Sequence, residues 1–231
     1  TQLAGLTSAQ VGALSTAQLA AITTARISGL STAGIVGLTT AQVAALSTDQ
    51  AAALAARHVA ALGTDQIAAL ETADLAALTT AAIAGLTTAQ VPALTTAQVA
   101  ALTTAQIRAI SATNIARLET ADVAALTTAQ VAAMTTGQVA GLTSGQIVAL
   151  TTGQVAALTT AQIAAMPATS VAKLETADIA ALGTGQVAAF GTAQVAALTT
   201  AQVAAIETAD LAALTTAALK GLTTAQVPAL T

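Results

Sequence analysis

Large apolar residues return along this chain at spacings that alternate between three and five, from Val11 to Leu230, with Ala51 as the one small residue in the series. The alternation divides the chain into eight-residue units. After a partial unit TQLAGL at 1–6, 28 octads run without insertion from TSAQVGAL at Thr7 to TTAQVPAL ending at Leu230, and Thr231 opens another. The chain therefore reads as a single array over 1–231, with the consensus T-T-A-Q-V-A-A-L. The eighth position is Leu in 22 octads and otherwise Ile22, Ile110, Ile206, Met134, Met166 or Phe190, while the fifth is Val, Ile or Leu in 27. These two positions are the expected core. Charges fall at the other positions, as with Glu71, Asp49, Arg26, Arg108 and Arg117, and those positions are expected to reach water.

Neither regular element can run through this pattern unbroken. An average spacing of four against 3.6 residues per turn would make the apolar stripe of one long helix drift by about 80° per octad. In a strand, the fifth and eighth positions would point to opposite faces. The chain must turn every eight residues, and the capping signals place the turn: the first position is Thr or Ser in 19 octads and Gly in three, and Gln stands at the fourth position in 17 of the 28. That is the S/T-x-x-Q capping box, with the preceding Leu and the fifth-position Val placed as a hydrophobic staple. The expected fold is all-α, a solenoid of very short capped helices, one per octad, stabilised by neighbours because isolated helices of this length are not stable in water. Ala at the third, sixth and seventh positions allows close approach. Pro92 and Pro228, at the sixth position, remove an N–H that a helix would use, and they limit the helical piece to little more than one turn. A β-solenoid with octads as its sides is the alternative, against which stand the many Ala and Gln residues.

Composition narrows the function. The chain is 55% apolar with one Phe, no Tyr and no Trp, so the core must be built from small aliphatic side chains. Six basic and 10 acidic residues give a net charge of −4, with no basic run to neutralise phosphates, and nucleic acid is not an expected partner. No Cys is present, which leaves disulfides, thiolate catalysis and cysteine metal sites out of the reading. Thr or Gln interrupts each octad well short of the ~20 apolar residues of a membrane-spanning helix.

Three features are candidates for chemistry. His58 is the only histidine and replaces the usual Gln. With no Cys and no nearby carboxylate cluster it forms neither a zinc site nor a Ser-His-Asp set, and it reads as a polar surface substitution. Four octads begin ETAD, pairing Glu71 with Asp74, Glu119 with Asp122, Glu175 with Asp178 and Glu207 with Asp210. Two carboxylates fall short of the six to eight oxygens calcium needs, so these pairs are expected to complement helix N-termini and to keep the array soluble. The second position is Thr in 23 octads and is not required for capping. A repeated hydroxyl-methyl face can match ice or another repetitive surface, and Thr40, Thr88, Thr96, Thr104, Thr128, Thr152, Thr160 and Thr200 are its expected members. Packing between repeats is the plainer use of such a ladder.

The octads TTAQVAAL and GTDQIAAL, and with them the whole chain, resemble the Ala/Thr/Gln-rich repeat arrays of very large bacterial surface proteins of the haemagglutinin-like or haem-utilisation and adhesion type. The resemblance implies a secreted or cell-surface stalk, spacer or filament subunit with an adhesive role. It brings no catalytic residue and no cofactor; His58 stands alone, and Met134 and Met166 replace core Leu, so the haem part of the label finds no ligand set. The sequence thus points away from an enzyme and from a small-molecule substrate. The chain opens and closes inside a repeat and its last octads keep their apolar positions, from which head-to-tail self-association or continuation in a longer chain is expected.

Overall fold

The computed structural model of the chain describes residues 5–230. Among them, 26 octads carry an α-helix, from Ser8–Gly12 to Thr216–Leu219, and the two octads with Pro at the sixth position carry 3-10 turns at Val91–Ala93 and Val227–Ala229. The described residues contain no strand, and the fold is an all-helical solenoid-like array of very short helices, not the β alternative. The further repeat expected to open at Thr231, and the first four residues of the partial unit, lie outside the described residues.

The octad Thr39–Leu46 shows why helices form and why they stop. Thr39 is extended (φ −76°, ψ 160°), and its hydroxyl oxygen accepts the Gln42 N–H at 3.2 Å. Gln42 Oε1 accepts the Thr39 N–H at 2.7 Å, completing the box. One α-helical turn follows, with Val43 N–H donating to Thr39 O and Ala45 N–H to Ala41 O, and Leu46 N–H then closes on Val43 O in a tighter i→i−3 bond. The eighth residue returns to the extended region, as at Leu102 (φ −59°, ψ 139°), so two extended residues, the eighth and the next first, make each corner. No described residue has a positive φ and no peptide bond among them is cis, so the corner needs no glycine.

Corners bring the fifth and eighth residues of successive octads inward, and nearly all are buried. Val43, Val99, Ile107 and Ile147 are wholly inaccessible, and Phe190 fills the place of a Leu. Burial at roughly 25 cal/mol per Å² of apolar surface is the main force on each short helix. Ala51, wholly buried, keeps the inward position with the smallest side chain in the series.

Helices three octads apart lie side by side, as Thr48–Ala52 does with Thr72–Ala77 and Thr184–Ala188 with Thr208–Ala213. Hydrogen bonds between neighbouring coils join residues 25 to 31 apart, the extremes being Thr192 to Ala217 and Gln42 to Val11. Three octads span 24 residues and four span 32. One turn therefore closes between three and four octads, and a residue does not sit above its own kind in the coil below. Backbones of neighbouring coils meet at the seventh residue where Gly85 stands: a Cβ there would lie 2.5 Å from the Ala56 carbonyl oxygen.

The described chain divides into two compact units, Thr1–Leu118 and Glu119–Thr231, and the division falls between two octads. The first holds the helices from Ser8–Gly12 to Ala112–Ile115, and the second those from Thr120–Ala125 onward, with the same octad construction in each.

Candidate functional site

The fourth position, expected to face water, is instead the most engaged polar position of the array. From octad Thr39–Leu46 onward its Gln side chains are buried, Gln42, Gln98, Gln106 and Gln162 being 1–2% exposed. The reason is a double duty. While Oε1 holds the cap N–H of its own octad, Nε2 donates to two carbonyls of the coil before. In the first unit Gln42 reaches Val11 O at 2.9 Å and Leu14 O at 2.6 Å, and Gln106 reaches Leu75 O at 2.9 Å and Leu78 O at 2.8 Å. In the second, Gln154 reaches Val123 O and Leu126 O, and Gln162 reaches Val131 O and Met134 O. The eighth-residue carbonyl at the corner has no intrahelical donor, and this amide supplies one. Gln10, Gln18 and Arg26, for which the described chain has no residue 28 to 31 places earlier, are exposed, so it is the underlying coil that buries the position.

Substitutions at this position show what it demands. His58 is not a surface residue: it is wholly buried, its Nδ1 accepts the Ala55 N–H at 3.1 Å and its Nε2 meets the Leu30 carbonyl at 3.0 Å. The first contact leaves Nδ1 without a proton, so Nε2 carries the hydrogen and donates it, and the neutral ring reproduces the acceptor and donor of a Gln amide. Burial, and then the neighbouring Arg57 guanidinium, hold His58 below its ordinary pKa, with the bond to Leu30 opposing them. Asn114, shorter than Gln, still reaches Leu86 O at 2.6 Å.

The ETAD pairs separate in the same way. Glu71, Glu119, Glu175 and Glu207 are exposed, as expected, but Asp74, Asp122, Asp178 and Asp210 are buried at 2–7% exposure and are not solvated charges. A carboxylate can accept the cap N–H, as Asp178 Oδ2 does from Glu175 at 3.0 Å, but it has no amide hydrogens for the carbonyls below. Instead a second-position Thr of an earlier coil turns its hydroxyl in: Thr152 Oγ1 donates to Asp178 Oδ1 at 2.9 Å and Thr184 Oγ1 to Asp210 Oδ1 at 2.6 Å.

All eight threonines expected to form a repeated face, Thr40, Thr88, Thr96, Thr104, Thr128, Thr152, Thr160 and Thr200, are exposed. The register between coils sets such threonines against third- and fourth-position residues of a neighbouring coil, as Thr152 is set against Asp178 and the Thr160 methyl against Gly185. Thr152 is therefore shared between solvent and a neighbouring coil. The signal that sequence reasoning passed over was the fourth position itself. From residue 39 onward its occupants are Gln, His, Asn, Asp and Ser, each with a polar group near the backbone, apart from Ala82 and Ala218, a restriction that a solvent-facing position has no cause to require.

Among the described residues no cluster of three or more His, Asp or Glu is placed to hold a metal ion, and no helix is long and apolar enough to cross a membrane. A sequence model of the ALTTAQ repeat matches residues 19–56, 67–104, 115–152, 136–168, 171–205 and 203–231. No curated protein matches the chain.

Proposed function

Because the chain belongs to the ALTTAQ repeat family, we propose that it acts as a structural repeat protein, a stiff extracellular spacer or stalk of a bacterial surface, able to serve as a filament subunit and to take part in adhesion. The fourth-position clamp carries this reading. Each such amide ties its octad to the coil before, so the tie recurs along the array wherever the fourth residue is Gln and resists bending without depending on any one residue. Extension proceeds through the same contacts, within a longer chain or between copies of this one. The reading assigns no catalytic step, cofactor or small-molecule substrate.

Stiffness is the property to measure. Cysteines introduced at exposed Ala41 and Ala201 are the only thiols in the chain, and spin labels there report the distance across most of the array. A spacer gives one narrow distance distribution; a broad one, as from units that swing freely, overturns the reading. Antibodies raised against the array are expected to label intact expressing cells, and labelling only after permeabilisation would remove the surface assignment. Sedimentation velocity checks assembly between copies, where a concentration-independent monomer would leave only extension within one chain.

The exposure of the eight named second-position threonines supports a second reading, in which the array binds ice, a glycan or another repetitive surface through them. Thermal hysteresis in cold solution tests ice, and none at high protein concentration ends that version. Replacing the second-position Thr in several octads should abolish such binding and leave the fold, whereas loss of the fold would return these residues to a packing role.

A further inference from the structure

Asp74 leaves two acceptors facing a common need. Its side chain is 2% exposed and Oδ2 has no hydrogen-bond partner. The carbonyls that a Gln at this position would meet, 31 and 28 residues earlier, belong to Val43 and Leu46. Val43 O accepts the Leu46 N–H, but no backbone N–H donates to Leu46 O. The carboxylate oxygen and the Leu46 carbonyl thus both lack a donor, and a buried acceptor left unsatisfied is destabilising. Asn114 shows that a side chain of this length reaches the carbonyl 28 residues earlier, donating to Leu86 O at 2.6 Å.

We infer that Asp74 holds a proton on Oδ2 in the folded coil and donates it to the Leu46 carbonyl, so that the carboxylic acid acts as a pH-sensitive substitute for the Gln clamp. One proton satisfies both oxygens. The other carboxyl oxygen is already occupied as an acceptor by the Thr48 hydroxyl. Asp178 is built differently, with a donor on each oxygen, Thr152 on one and the Glu175 N–H on the other. The charged side chains nearby are Glu71 in the same octad, Asp49 on the packed helix Thr48–Ala52, and Arg108 on Thr104–Ala109, whose Gln106 bonds Leu75 and Leu78; Thr96–Ala101, also packed against this helix, carries none. Burial raises the Asp74 carboxyl above the usual aspartate range, the Thr48 bond opposes this, and the Glu71 charge adds to it. A raised folded value makes this contribution complete in acid and removes it as the pH rises through that value.

The experiment is a carboxyl-carbon NMR titration of the whole folded chain, with urea unfolding of the wild type and Asp74→Asn between pH 4 and 8. The expected result is an Asp74 midpoint above the ordinary ~3.9, and a wild-type urea midpoint that falls progressively below that of Asp74→Asn as the pH rises. The amide keeps the donor at every pH, and the other acids cancel in the difference. An Asp74 midpoint at or below the ordinary value, or a difference between the chains that does not change with pH, overturns the inference. Should Asp74→Asn fail to fold, Asp74→Gln, the residue of most other octads, provides the same comparison.

Discussion

The octads Thr39–Leu46 and Thr87–Leu94 differ at one residue, Ala44 in the first and Pro92 in the second, and they adopt different local structures. The first is an α-helical turn at Thr40–Ala44; the second is a 3-10 turn at Val91–Ala93, where Ala93 N–H bonds Gln90 O in place of the longer α-type bond. Everything directed at the rest of the fold nevertheless coincides. Gln90 Oε1 accepts the Thr87 N–H at 2.8 Å, and its Nε2 reaches Val59 O at 2.7 Å and Leu62 O at 2.6 Å, as Gln42 does with Val11 and Leu14. Val91 is wholly buried and Leu94 is 4% exposed, again as in the partner octad. The array is thus specified by a cap, a clamp, two apolar side chains and an extended corner. The helical ladder between them is adjustable.

The strongest way to break this equivalence is to remove the clamp from both octads. Gln42→Leu and Gln90→Leu each strand a cap N–H and a corner carbonyl in a buried place, and at about 1–3 kcal/mol per orphaned group each is expected to cost on the order of 3 kcal/mol or more. Urea denaturation of the two variants should give similar losses. A large loss at Gln42 with almost none at Gln90 would show that the proline octad does not depend on its clamp. Val43→Ala and Val91→Ala come next, at roughly 2 kcal/mol each for two methylene equivalents and the space they leave. Equal losses support an identical core under both turns, and a much smaller loss at Val91 would show that the 3-10 octad packs loosely.

Much of this was legible in the residues, because the features that fix the octad are local. Thr39 and Gln42 announce the cap three residues apart, and Val43 and Leu46 announce the inward side by their bulk. The clamp was not legible, since the partners of Gln42 lie 28 and 31 residues earlier and only the closing of a turn between three and four octads brings them together. For the same reason His58 and Asp74 read as surface polarity. A side chain that must be both donor and acceptor is indistinguishable in sequence from one that is merely hydrophilic. The eight named second-position threonines, by contrast, are exposed, an outward position that the cap and the one-turn helix of each octad already suggest.

His58 adds a third occupant of the clamp position and sharpens the comparison through pH. Its folded value is depressed by burial and by Arg57, so the neutral ring contributes fully above the unfolded value of about 6.5. That contribution is lost as the pH falls below it toward the folded value, by at most about 1.4 kcal/mol per unit. His58→Gln should remove this loss, because an amide does not titrate. Urea midpoints at pH 7 and pH 5 for both chains check it: the gap between variant and wild type should widen in acid, and a constant gap would mean that the folded chain does not disfavour protonation of the ring.

The smallest effect should come from converting one octad into the other. A proline inside an ordinary helix costs about 3 kcal/mol or more, because it deletes a ladder bond and forces its ring against the preceding turn. Ala44→Pro would give residues 39–46 the sequence of residues 87–94, for which the chain already has a 3-10 solution that keeps the clamp and both buried side chains. The sixth residue is exposed in both octads, at Ala44 as at Pro92, so the ring meets no packed neighbour there, and the cost should stay at about 1 kcal/mol, well short of the ordinary penalty. Pro92→Ala should shift stability by less still and restore an α-helical turn, visible as slowed amide exchange at residue 92. A loss of 3 kcal/mol or more for Ala44→Pro would show that each octad depends on its own ladder, and that the tolerance seen at Pro92 is peculiar to its place in the coil.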